Sequence, residues 1–123
     1  MSDVDTWNGT PGTPWPVAEV DFDALRWAAR PVVLLADDRQ ALEAQLSQLA
    51  DRSAELVDRD MVVVVDTDPD GGLARRREIE PDGPSLVLLG KDGGVKHVEA
   101  LPCDLDALFA LIDSMPMRRR EAQ

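Results

Sequence analysis

The sequence predicts one α/β domain: a three-layer sandwich in which a mixed sheet carries helices on both faces and ends in a C-terminal β-hairpin and a closing helix. Val32–Ala36, Met61–Val65 and Leu86–Leu89 are short apolar runs without alternation, the pattern of strands covered on both faces. Segments with helical signals separate them. Crossovers between parallel strands are nearly always right-handed, so these helices cover the sheet. In Pro84–Lys96, PSLVLLGKDGGVK, the third run meets Gly90-Lys91-Asp92-Gly93-Gly94. An Asp-Gly step between apolar runs signals a tight hairpin, because its turn needs positive φ.

Each element has its own reason. Residues 1–16 form a Gly- and Pro-rich arm, with Trp7 and Trp15 as aromatic anchors laid on the body. The domain proper spans 17–116, and Val17–Val20 reads as a short strand. Asp21 or Asp23 caps a helix through Leu25, Trp27 and Ala28, which ends at Arg30–Pro31 because the residue before proline avoids helical angles. After Val32–Ala36, Asp37 or Asp38 accepts hydrogen bonds from the free amides of a helix running from about Arg39 to Asp58. Leu42, Leu46, Leu49 and Leu56 make its apolar stripe. The β-branched run Met61–Val65 is a central strand ending in the turn 66–72, and Leu73–Ile79 is a short helix bearing Arg75, Arg76 and Arg77. Val95–Leu101 alternates as an edge strand does. Asp104 caps a last helix with Leu105, Leu108, Phe109 and Ile112 on one face, Pro116 stops it, and 117–123 is a basic tail.

Composition excludes several classes. A net charge of −11 with pI near 4.3 argues against nucleic acid and acidic membranes as partners. No apolar run approaches the ~20 residues of a membrane helix. The start of the chain carries Asp3 and Asp5 with no basic residue, unlike a secretory signal, so a soluble cytoplasmic protein is expected. An exported chain whose signal had been removed would read the same. Asn8-Gly9-Thr10 fits a glycosylation acceptor only in a eukaryotic secretory setting. With one cysteine, Cys103, there is neither an intramolecular disulfide nor a dithiol couple.

Some constellations bear on chemistry. Asp66, Asp68, Asp70 and Gly71 open like a calcium loop, but Arg77 stands where a bidentate glutamate belongs, so a plain acidic turn is expected and no metal or cofactor. Cys103 precedes a helix start, which favours a thiolate, while Asp104 and Asp106 oppose it. An inert thiol is expected. The rival reading is a single-cysteine peroxidase or thiol-dependent accessory, with His97, the one histidine, as its cationic partner. Lys91, Asp92 and Lys96 stand at the hairpin tip and on its return strand, and Arg118-Arg119-Arg120 follow the last helix. These cations either complement turn and helix dipole or form a basic patch suited to a carboxylate or phosphate.

The order strand, helix, strand, helix, strand, helix, hairpin, helix resembles thioredoxin. In that family the helix after the first buried strand begins with CxxC, faced by a cis-proline before the hairpin. Pro84 looks like that proline, but the CxxC position falls at Arg39-Gln40-Ala41-Leu42, which has no cysteine. Disulfide exchange needs an attacking thiolate there, so thioredoxin-type activity is not expected. Trp27 to Arg120, through Arg30-Pro31-Val32, Gln45, Arg59-Asp60, GKDGGVK at 90–96 and IDSMPMRR at 112–119, more closely resembles an uncharacterised thioredoxin-like family, a domain of unknown function. That family includes bacterial proteins and repeated domains of animal sushi-repeat-containing and coiled-coil-domain-containing secreted proteins. The resemblance implies an adhesive or matrix role and no catalytic residues.

The expected function is therefore a redox-inactive module binding a protein partner through Lys91, Asp92, Lys96, Met115, Met117, Arg118 and Arg119, the arm assisting. The alternatives are thiol chemistry at Cys103 and capture of a small anion at Arg118 and Arg119.

Overall fold

The computed structural model describes residues 14–68, 72–80 and 83–121. Its strands are β1 (Trp15–Pro16), β2 (Arg30–Leu35), β3 (Met61–Asp66), β4 (Ser85–Leu89) and β5 (Val95–Ala100). They form a single sheet in the order β1-β3-β2-β4-β5. β1 and β2 run parallel to β3, while β4 is antiparallel to both β2 and β5. The helices are α1 (Phe22–Leu25), α2 (Arg39–Asp51), α3 (Ser53–Asp58), α4 (Gly72–Arg76), α5 (Leu105–Asp113) and α6 (Pro116–Glu121).

The apolar runs behave as strands with two covered faces. Along β2 and β4 every residue is buried. Val32, Leu34, Leu86 and Leu88 point to the side of α2, α3 and α5, where Leu49, Leu56, Phe109 and Ile112 meet them. Val33, Leu35, Val87 and Leu89 point to the other side, against Leu25, Ala29 and Leu73. Burying each such side chain contributes about 1.5–3 kcal/mol, so this alternation stabilises the sheet from both sides. β5 has one neighbour and is mostly exposed, as its alternating sequence predicts.

The structure departs from the sequence reading at element ends. Val17–Glu19 is a 3₁₀ turn rather than a strand, because Pro16 has no N–H with which to extend the ladder to β3. α1 stops at Leu25. Trp27 takes φ 71° and donates its N–H to the Lys91 carbonyl at 2.6 Å, tying this turn to the hairpin. The helix expected over 39–58 divides at Arg52, whose side chain turns to Glu55 and Asp106 and lies over the Phe109 ring. Pro116 does not end the final helix: α5 ends at Asp113, and Pro116 opens α6, where its missing N–H costs nothing. The boundary drawn before residue 117 falls inside that helix. The cis peptide bond among the described residues joins Leu101 to Pro102, so Gly83–Pro84 is not the cis-proline that the resemblance implied.

Candidate functional site

The sheet has two ends with different contents. β2 and β3 finish at Leu35 and Asp66, beside Ser85 at the start of β4 and Ala100 at the end of β5. At this end Asp38 caps α2, its carboxylate accepting from the amides of Gln40 at 3.0 Å and Ala41 at 3.2 Å. The side chains opening α2 bear no thiol. Asp66 closes its own turn by accepting from the Asp68 amide at 2.9 Å. Asp70 and Gly71 of the calcium-like motif lie outside the described residues, and no group of metal-ligating side chains gathers among those described. An apolar trough of about 580 Å³ runs between Trp15–Ala18 and Leu42, Leu46 and Val65.

Cys103 lies just beyond the end of β5, buried against the α2 and α5 side of the sheet. Its backbone N–H donates to Gln45 Oε1 at 2.7 Å, and its thiol donates to Glu99 Oε1 at 3.2 Å. That same Glu99 oxygen is 2.9 Å from His97 Nε2. The structure thus brings the expected thiol and the single histidine into one cluster, but with a carboxylate in contact with both. Burial first, then the hydrogen bond and charge of Glu99 and the charge of Asp104, push the thiol up to about 12. A thiol so placed keeps its proton at neutral pH and is a poor nucleophile. Sequence reading missed Glu99. The turn through Pro102 brings it to Cys103, and no spacing rule signals such a turn.

The opposite end, where β2 and β3 begin, holds the hairpin tip and α6. Here Lys91, Asp92, Lys96, Met115 and Met117 line one cleft of about 280 Å³, with Arg30, Pro116 and Arg120. The tip is shaped by its glycines. Gly93 has φ 86°, a left-handed conformation strained for any side chain, and the Gly94 amide donates to Asp92 at 2.9 Å. Asp92 also accepts from Lys96 Nζ at 2.8 Å, and this lysine, with the Gly94 amide, holds the Asp92 carboxyl below its ordinary range.

Beneath the cleft lies a chain of ion pairs. Arg30, 1% exposed at the start of β2, grips both oxygens of Glu121 at 3.1 Å and donates to the Arg59 carbonyl at 2.9 Å. Lys91 Nζ reaches Glu121 and Asp60, both at 2.8 Å. Burial works against ionisation of Glu121. The hydrogen bonds and charges of Arg30 and Lys91 outweigh it and hold the carboxyl below its ordinary value.

Arg118 does not face the cleft. It is buried, donating to the Asp58 carbonyl at 2.8 Å, to the Asp58 carboxylate at 2.6 Å and to Asp113 at 3.1 Å. Burial alone would lower its pKa, but Asp113 and Asp58 raise it. The anion expected at Arg118 therefore meets a guanidinium already engaged by the chain's own acids. Arg119 is exposed. Arg59 closes the network on Asp113 at 2.8 Å and stacks over Phe109. The sequence alone marks Arg30 as a helix end and as part of the family resemblance, without a partner, and gives Glu121 no role. A charged residue opening an apolar strand was the available signal.

Comparison with known proteins bears on the fold and the family. A solved structure of a mutant thioredoxin from Halobacterium salinarum NRC-1 is similar, with a TM-score of 0.58 and 27% sequence identity, covering 85% of this chain and 92% of that one. No curated protein matches the chain. The mixed sheet, the flanking helices and this neighbour make the fold thioredoxin-like. The family model for a domain of unknown function, DUF4174, matches residues 21–121, from the cap of α1 to the last residue of α6, and the chain belongs to that family.

Proposed function

We propose that this domain is a redox-inert thioredoxin-like binding module that docks a polypeptide segment in the cleft between the hairpin tip and α6. The observation that carries this reading is the convergence of Lys91, Asp92, Lys96, Met115 and Met117, distant in sequence, on that one cleft. Met115 and Met117 supply an adaptable apolar contact. Lys96 and Arg120 supply charge, and on a body of net charge −11 a local cationic rim favours a segment mixing acidic and apolar residues. The cysteine-free start of α2 and the protonated Cys103 thiol speak for binding over thiol chemistry. Resemblance of the hairpin and α6 motifs to animal secreted proteins supports an adhesive setting.

Selection of a phage-displayed peptide library tests the reading. The wild type should enrich acidic-apolar sequences, and Met117→Asp combined with Arg120→Glu should lose them, since neither side chain is buried. Enrichment identical on both proteins, or on neither, would overturn it.

A further inference from the structure

Arg30 is the most thoroughly buried charge in the described structure, and it lines the proposed cleft. A guanidinium out of water is tolerated only when its donors meet acceptors and its charge meets an opposite one. On Arg30 the Arg59 carbonyl takes part of the donor set, and among the described residues the two-pronged contact falls to Glu121. Lys91, its side chain 9% exposed, completes the grip on the same carboxylate, and Arg118 Nη1 stands 4.0 Å from it. This is a built carboxylate-binding site with a planar fork, a point charge and a low-dielectric floor. Its present occupant is a side chain in the last turn of α6.

α6 itself is weakly rooted. Its buried residue is Arg118, an ion-paired side chain rather than an apolar one. Its attachments are charged contacts from Arg30, Lys91 and Arg118 to acids with appreciable exposure, Glu121 at 25%, Asp113 at 45% and Asp58 at 66% of the side chain. Such a helix leaves more readily than one seated by a hydrophobic stripe. When it leaves, the basic floor formed by Arg30 and Lys91 demands another anion.

From this we infer that Glu121 is a built-in occupant of a carboxylate-binding site at Arg30 and Lys91, and that an acidic side chain of the docked partner segment takes its place. The inference rests on the cleft reading for the partner's identity as a polypeptide. The anion site can be tested without any partner. Glu121→Gln removes the charge and keeps the shape. Its thermal unfolding is compared with that of the wild type in sodium acetate and in sodium chloride at equal ionic strength. The expected result is a lower midpoint in chloride, raised selectively by acetate in Glu121→Gln, with no acetate-specific rise in the wild type. Adding Lys91→Met should abolish that selective rise. An equal response of Glu121→Gln and wild type to acetate overturns the site, as does an unchanged midpoint in chloride. Should Glu121→Gln fail to fold in chloride, recovery in acetate alone supports the site and failure in both salts overturns it. A glutamate-containing peptide from the library should then bind Glu121→Gln at least tenfold more tightly than wild type. Equal affinity would overturn the displacement while leaving the cleft reading intact, whereas binding to neither protein would remove the cleft reading itself.

Discussion

Glu99 stands in contact with both Cys103 and His97, and its position determines what the thiol can do. An imidazolium touching the sulfur would stabilise a thiolate, but the neighbour here is a carboxylate that accepts the thiol proton's hydrogen bond. Alkylation of native Cys103 at pH 8 should therefore be far slower than that of a free thiol, and Glu99→Gln should quicken it about fivefold by removing the opposing charge. Mass spectrometry of the labelling time course checks both, and a wild-type rate near that of free cysteine would contradict the assignment. The same proton affects stability. The folded thiol's pKa is raised from 9.0 to about 12, so the folded state holds a proton that the unfolded chain releases in between. Its contribution is fully present below pH 9 and is lost as pH climbs towards 12. Urea midpoints measured across that range should fall more steeply for wild type than for Cys103→Ser. Cys103 and its capped helix were legible in the sequence. Glu99 was not, because the turn at Pro102 sets its distance from the sulfur.

At the scale of elements, strands were easier to read than helix ends. β2, β3 and β4 follow from unbroken apolar runs, since burial of both faces leaves such runs no other place. The break at Arg52 and the new start at Pro116 depend on side chains meeting partners far along the chain, which local periodicity does not record. α6 is the element most exposed to a change of charge. Arg118→Ala should cost about 2 kcal/mol, the worth of charged hydrogen bonds whose acids can turn to water afterwards. Urea denaturation measures it, and a loss under about 0.5 kcal/mol would show the pairs to be idle. Acid should act on the same helix. Hydrogen bonding to Arg59 is the chief cause lowering the carboxyl of Asp113, while Arg30 and Lys91 overcome burial to lower that of Glu121. Their contribution is present above the ordinary values of 3.8 and 4.5 and is lost as pH falls through the lowered folded values. Amide-exchange protection in α6, taken relative to the intrinsic rate at each pH, should fall below pH 4.5 before that of β2 or β4. Simultaneous exchange throughout would mean that α6 is no separate unit.

For the whole molecule, the ion pairs around Glu121 and the start of α2 occupy opposite ends of the sheet. Glu121 and Lys91 bind α6 and the hairpin tip to Arg30 and Asp60 at the starts of β2 and β3, and Arg118 and Asp113 tie α6 and α5 to Asp58 and Arg59 at the end of α3, whereas α2 begins where those strands finish. Arg30 and Glu121 are separated by 91 positions, so only the folded chain displays their pairing. The chain should not accelerate reduction of a small disulfide by dithiothreitol, and Cys103→Ser should give the same background rate; turnover lost in that variant would reinstate thiol chemistry. The separation of the two ends also bears on descent. Among the described residues the first turn of α2 pairs only within itself, through Asp38 and through Arg39 with Glu43, so a lineage can exchange side chains there and still inherit the same five-stranded sheet.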